Sequence, residues 1–172
     1  MNIFAIEGDK LNIDWRRSAY SHDDYRCNKM IIESCQMLCT TARLYGEETR
    51  YKKSFENHPM TKWVGESFWN FSNVVTLAQS LKWAFESRHN KTTHGCDDVI
   101  SHMHTLIRGK FYKKFPIIDH NTNMPLCMPH EYKIDGNTVE SYRNYFANKP
   151  NLRYYHTPPP DWLAKYRSPQ LP

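Results

Sequence analysis

The sequence predicts a mainly α fold: one compact helical domain with two long packed helices and an extended C-terminal segment rich in proline and aromatic residues. Three observations carry this. A chain of 172 residues with 40% hydrophobic residues, five Trp, eleven Tyr and eight Phe has the length and core material of a single domain. Two stretches, residues 24–46 and 59–88, repeat apolar positions at the helical period. Six of the ten prolines fall in residues 149–172, which regular structure does not tolerate. The division is therefore residues 1–148 as the helical domain and 149–172 as an extended segment tied down by Tyr154, Tyr155 and Trp162.

In order along the chain, residues 1–20 read as short and irregular, with Ile3, Phe4 and Ile6 as a strand-like opening. The first helix begins near Asp24, capped by Asp23 or Asp24, and Gly46 fits just past its end. The second opens at His58-Pro59, proline being tolerated in the first turn, and runs to about Arg88 with Gly65 as a weak point. Val74, Leu77, Leu81 and Phe85 give it one apolar face. Residues 97–108 form a shorter helix stopped by Gly109. Pro116, Pro125 and Pro129 then keep the chain irregular until a last helix over 138–148, capped by Asn137 or Thr138.

No apolar run approaches the roughly 18 residues of a membrane span, and Met1-Asn2-Ile3-Phe4 lacks the basic start of a signal peptide. A soluble, cytoplasmic protein without a membrane partner is the expectation. The charge balance of +5 suits an anionic partner, DNA or a nucleotide. Cys27, Cys35, Cys39, Cys96 and Cys127 are an odd set without secretory features, read as reduced thiols. Cys35 and Cys39 lie four apart and His94 lies two before Cys96, but the second CxxC-type pair of a structural zinc site is missing. No metal and no cofactor is predicted.

The first helix is the most informative element. Cys27, Ile31, Cys35, Leu38, Ala42 and Tyr45 share its core side, whereas Arg26, Lys29, Glu33, Gln36, Thr40 and Arg43 form a narrow polar line. Met30, Ile32, Met37 and Cys39 flank that line, so the helix is expected to be mostly buried, with the line opening into a cleft or a polar network. Burying Arg, Lys and Glu unpaired costs several kcal/mol. The plainer alternative is a solvated face with an i,i+4 Lys29–Glu33 pair. On the second helix His58, Lys62, Glu66, Ser67 and Asn70 add polar groups, His58 at the positive end of the helix dipole or merely as its cap. Glu86, Arg88, His89, Lys91 and His94 form a polar end, either solvated or in contact with phosphates.

Arg26-Cys27-Asn28-Lys29 with Glu33, Gln36 and Leu38, then Asn57-His58-Pro59 with Trp63, resemble a group of small bacterial and phage proteins. These share an R-x-x-K-x-x-x-E-x-x-Q-x-L helix and an N-H-P-x-x-x-W helix. A set of uncharacterised phage proteins is similar over most of the chain, including Met128-Pro129-x-Glu131-Tyr132-Lys133 and Tyr142-Arg143-x-Tyr145. The bacterial members resemble the pyrimidine-dimer DNA glycosylases of the phage endonuclease V fold, through Tyr25-Arg26, His58 and the aromatic tail.

The resemblance implies a helical domain whose N-terminal amine attacks the sugar of a damaged nucleotide. An α-amine with a reference pKa near 7.7 is roughly 17% neutral at pH 7, against roughly 0.04% for Lys, which favours Met1 as nucleophile. Glu33 is then the acid/base on the polar stripe, with Lys29 and His58 completing the catalytic set. Arg26, Gln36, Arg43, Lys62, Asn70, Arg88 and Lys91 would contact phosphates and polar base edges, and Tyr154, Tyr155 and Trp162 would stack bases. Where the family's Arg is followed by Glu this chain has Cys27, and Asn2 leaves Met1 in place. Two alternatives stand beside the glycosylase/abasic lyase: a non-catalytic viral accessory protein that binds nucleic acid or nucleotide, and another nucleotide or modified-base enzyme using the same cleft.

Overall fold

The computed structural model describes residues 2–118 and 120–167. Its elements are a two-residue antiparallel ladder, β1 (Gly8–Asp9) on β2 (Asn12–Ile13), followed by α1 (Trp15–Tyr20), α2 (Asp24–Leu44), α3 (Pro59–Glu66), α4 (Phe68–His89), α5 (Asp97–Arg108), α6 (Thr138–Ala147) and α7 (Leu163–Tyr166). Short 3-10 turns occupy Phe111–Lys114 and His130–Tyr132. The fold is mainly α, and no helix among the described residues is long and apolar enough to cross a membrane.

α2 begins and ends as the sequence predicts. Asp23 is its N-cap, and after the C-cap Tyr45 the chain turns through Gly46 at φ +83°, a conformation that favours glycine. The expected helix over 59–88 is instead two helices. The break is at Ser67, whose extended backbone (φ −146°, ψ 155°) ends α3 while its Oγ accepts the Asn70 N–H at 3.1 Å to cap α4. Gly65, the expected weak point, stays helical. At the start of the chain α1 replaces part of the irregular stretch, with Asp14 accepting the Arg17 N–H at 2.8 Å as its cap.

The core lies where α2 packs on α4, and α1 packs on α4 as well. Ile31, Cys35 and Leu38 of α2 and Val74, Leu77 and Leu81 of α4 are all at most 1% exposed. Each such aliphatic side chain contributes about 1.5–3 kcal/mol by leaving water. α2 is mostly buried, as expected, down to Thr40 on its polar line. Ile32, read as a buried flank, faces out.

Residues 3–6 form no strand but are threaded through the core. Phe4 meets Tyr142, Phe146 and His22 edge-on. A buried extended backbone needs partners for its polar groups. Ser18 Oγ accepts the N–H groups of Ile6 and Glu7 at 3.2 and 2.9 Å, and Arg143 Nε donates to the Ile6 carbonyl at 2.9 Å.

The C-terminal segment is pinned to the start of α2. Asp24 N–H donates to the Arg153 carbonyl at 2.8 Å, and Asp24 Oδ2 accepts the Tyr155 N–H at 2.7 Å. Asp23 Oδ2 accepts the Arg153 N–H at 3.2 Å. Over residues 149–167 the segment runs through turns and irregular backbone, with the single turn of α7 as its one helix.

Candidate functional site

Where α2 passes the start of the chain and the end of α6, a cavity of about 330 Å3 opens, large enough for a small ligand group. Asn2, Phe4, Tyr25, Arg26, Lys29, Met30, Glu33, Cys127, Tyr145, Lys149 and Pro150 line it. Three of the polar residues predicted along α2, Arg26, Lys29 and Glu33, meet here because positions 26, 29 and 33 are neighbours one turn apart.

Glu33 is the anchor. The backbone N–H of Asn2 donates to Glu33 Oε2 at 2.8 Å, and Lys29 Nζ lies 3.7 Å from Oε1. The Glu33 side chain is 15% exposed and that of Lys29 50%, so the carboxylate is sheltered while the ammonium reaches solvent. Asn2 is fixed at its other end too: its Nδ2 donates to the Cys127 carbonyl at 3.0 Å and its Oδ1 accepts the Ile3 N–H at 2.9 Å. The residue before it, Met1, lies outside the described residues.

Arg26 is buried and spoken for. Its Nη1 sits 3.2 Å from both Asp23 carboxylate oxygens, and Nη2 donates to the Pro150 carbonyl at 3.0 Å. It lines the cleft as part of its wall. Lys149, which sequence reasoning passed over, contributes a second cation: its Nζ lies 3.6 Å from the centroid of the Tyr145 ring, a cation–π geometry.

His58 caps α3, its Nδ1 accepting the Met60 N–H at 3.1 Å, which leaves Nε2 to carry the proton of the neutral ring. Burial pushes its pKa below the ordinary imidazole value, the positive charge of the amino terminus pushes the same way, and Glu33 opposes. His58 is thus electrostatically coupled to Glu33 without lining the cavity. The dipole-end argument for a neutral ring gives the same direction.

The remaining predicted contacts scatter. Arg43 donates to the carbonyls of Thr49 and Tyr51 at 2.5 and 2.9 Å and pairs with Glu48, fastening the loop after α2. Arg88 donates to the carbonyls of His22 and Tyr20 at 2.8 and 2.7 Å and sits 3.4 Å from Asp24 Oδ1. Asn70 is fully buried and staples Trp63 and Thr122 together. Each of the three has hydrogen-bond partners within the chain, and none of them lines the cavity.

Trp162 Nε1 donates to Glu7 at 2.7 Å and Tyr154 donates to the Ser21 carbonyl at 3.0 Å, so both are built into the clamp of the C-terminal segment. Of the three predicted aromatics, Tyr155 is the exposed one, at 80%. Lys62 and Lys91 are exposed, Lys91 above the Phe85 ring, and Gln36 is half-buried; none of these three lines the cavity.

A larger groove of about 810 Å3 runs between residues 11–16 and 120–124, beside Trp15 and Trp63. It gathers none of the predicted residues. Among the described residues no group of three or more His, Cys, Asp or Glu is arranged to hold a metal ion. Comparison with known proteins returns no match: no family model, no curated protein and no solved structure is similar to this chain.

Proposed function

We propose that the cleft is the active site of a DNA glycosylase/abasic lyase that acts on damaged or modified pyrimidines through an amine nucleophile. The single observation behind this reading is the Asn2–Glu33 hydrogen bond of 2.8 Å, which ties the start of the chain to a sheltered carboxylate in a cationic cavity. An α-amine one residue from Asn2 would then attack sugar C1′, forming a C–N bond as the glycosidic bond breaks and the base leaves. Glu33 takes the proton that the attacking amine sheds and delivers it to the ring oxygen as the sugar opens. The resulting imine makes the C2′ proton acidic, and Glu33 removes it, expelling the 3′ phosphate. Lys29 and Lys149 supply the charge that holds flanking phosphates, and Tyr25, exposed at the cleft edge, offers a stacking face.

Borohydride reduction in the presence of duplexes carrying an abasic site or a modified pyrimidine tests this. A covalent protein–DNA adduct mapping to residue 1 is the expected result. Cys27 favours a second reading: it follows Arg26, is fully buried, and its thiol donates to the Leu81 carbonyl at 3.4 Å, so it puts no acid in the cleft. Binding of DNA or nucleotide without chemistry would show as retained affinity with no adduct on any substrate.

A further inference from the structure

Where the start of α4 meets the 3-10 turn Phe111–Lys114, a groove of about 560 Å3 opens that shares no lining residue with the cleft. Phe68, Trp69, Tyr112, Phe115 and Ile117 give it apolar walls. Its floor belongs to the core. Phe115 is buried, with its ring centroid 5.8 Å from that of Phe68 and 5.6 Å from that of Phe71, and Phe68 meets Tyr112 at 6.1 Å. The shape is therefore preformed, and little reorganisation opposes an occupant. Trp69 and Tyr112 are nevertheless half exposed, and Ile117 is fully exposed. Contiguous apolar groups left in water beside polar ones mark interaction sites.

The charge beside the groove has one sign. No Asp or Glu lies between Asp98 and Asp119 in the sequence, whereas Arg108, Lys110, Lys113 and Lys114 do. Lys113 lines the groove, and its N–H donates to the carbonyl of Lys110, the cap of the turn, at 3.0 Å. Positions three apart eclipse in a 3-10 turn, so Lys110 and Lys113 leave from the same side. Among the described residues neither has an ion-pair partner, while Lys114 is taken by Glu47 at 2.5 Å.

The lining decides between anionic occupants. Its side chains carry no amide, carboxylate or aliphatic hydroxyl, so a nucleobase entering it would lose hydrogen bonds to water without replacement. A bilayer surface would reach the projecting Ile117 but leave the concave floor empty. An apolar side chain meets neither objection, and carboxylates next to it in sequence would fall on the lysines. We propose that this groove docks a peptide segment of a partner protein, with a bulky apolar anchor in the groove and Asp or Glu residues against Lys110 and Lys113. Trp69 and Tyr112 are of the residue types that dominate binding energy at such interfaces, and the lysines supply selectivity and rate.

Selecting a phage-displayed library of random peptides on the whole protein, with Ile117→Asp as counter-selection, tests this. Ile117 is fully exposed, so the variant should melt as the parent does. The expected pool carries a Trp, Phe, Leu or Ile flanked by Asp or Glu. Fluorescein-labelled members of it should bind the parent, shift the Trp69 indole N–H resonance, and bind Ile117→Asp about tenfold or more weakly. The double variant Lys110→Glu/Lys113→Glu should turn the selection toward anchors flanked by Lys or Arg. The proposal is overturned if no acidic motif is enriched, if the enriched peptides bind Ile117→Asp as tightly as the parent, or if charge reversal leaves the preference acidic. Oligothymidylate or phosphatidylserine vesicles binding in an Ile117-dependent way, with no peptide enriched, would replace it with a nucleic-acid or membrane contact. None of these readouts depends on the activity of the cleft.

Discussion

Replacing Glu33 by Gln separates chemistry from architecture more cleanly than any other change at the cleft. The amide keeps the length of the side chain and an oxygen for the Asn2 N–H, but removes the charge and the proton-transfer capacity. The structure sets the stability cost. The 2.8 Å bond from Asn2 is charge-assisted in the parent and neutral in the variant, a difference of about 1 kcal/mol. The Lys29 pair, at 3.7 Å with Lys29 half exposed, adds a few tenths of a kcal/mol, roughly the value of a solvated i,i+4 pair. Together these predict a drop in Tm of about 3–5 °C for a chain of this size.

A buried ion pair would have cost about 3–5 kcal/mol, and the exposure of Lys29 removes that possibility. Under the proposed function, loss of general acid–base action should lower turnover about 10²–10⁴-fold, while affinity for abasic duplex should stay within a few-fold. A thermal melt and a single-turnover cleavage assay on one purified variant read both. Undiminished cleavage would refute the acid/base role. A fall in Tm beyond about 10 °C would mean that Glu33 serves the fold.

Three further outcomes follow from the geometry. Changing Lys29 and Lys149 together to Gln should reduce the slope of log affinity against log salt by about 2 while leaving the melt nearly unchanged; an unaltered slope places DNA elsewhere. For Asp24, burial alone would raise the carboxyl pKa, but the N–H groups of Tyr155 and His156, the His156 ring and Arg88 more than reverse it. Its contribution is therefore present above the unfolded value near 3.8 and lost as pH falls through the lower folded value; Asp24→Asn should abolish that acid dependence and expose residues 150–160 to limited proteolysis at neutral pH. For His22, burial depresses the pKa to about 4, so stability should decline by about 3 kcal/mol as pH falls from about 6.5 to about 4, and His22→Gln should flatten the curve measured by urea titration.

How much of this was legible beforehand depended on how local the cause was. The ends of α2, α5 and α6 follow from caps and breakers within a few residues: Asp23, Gly46, Gly109 and Asn137. The α2–α4 interface follows from periodicity, since Ile31, Cys35 and Leu38 and their partners recur at helical spacing. The split at Ser67 is hidden because the apolar spacing continues across it and Gly65 is the more obvious breaker, although Ser67 three before Asn70 is itself a capping pattern. α1 is only six residues, too short to establish a period. On the site, sequence supplied the charges of α2 and its Lys29–Glu33 pair, but not the distant partners of the arginines. The oxygens that hold Arg88 lie some 64 to 68 positions away, and Pro150, which holds Arg26, lies 124 away.

That long-range pairing sorts the cations into two physical kinds. Guanidinium groups present five donors in a fixed plane, and here Arg26 and Arg88 spend them on oxygens of distant segments while Arg43 spends them on the loop that follows its own helix. Truncating any one would strand buried oxygens, so these positions should report on stability before they report on binding. The ammonium groups at the cleft are different. Lys29 reaches solvent from a helix and Lys149 lies over an aromatic ring, so neither is committed to holding backbone together. His22 shows the same economy from the opposite side. Its Nδ1 is 2.6 Å from the Ser18 carbonyl and must donate to it, while its Nε2, buried among Phe4 and Phe146, has no partner. A proton added there would be a buried charge between Arg26 and Arg88, both of which already push the pKa down. The region behind the cleft is thus held together by fixed cations and a neutral imidazole. At the cleft itself the positive charge not bound up in the fold is that of Lys29 and Lys149, the two lysines that the proposed function needs for an anionic backbone.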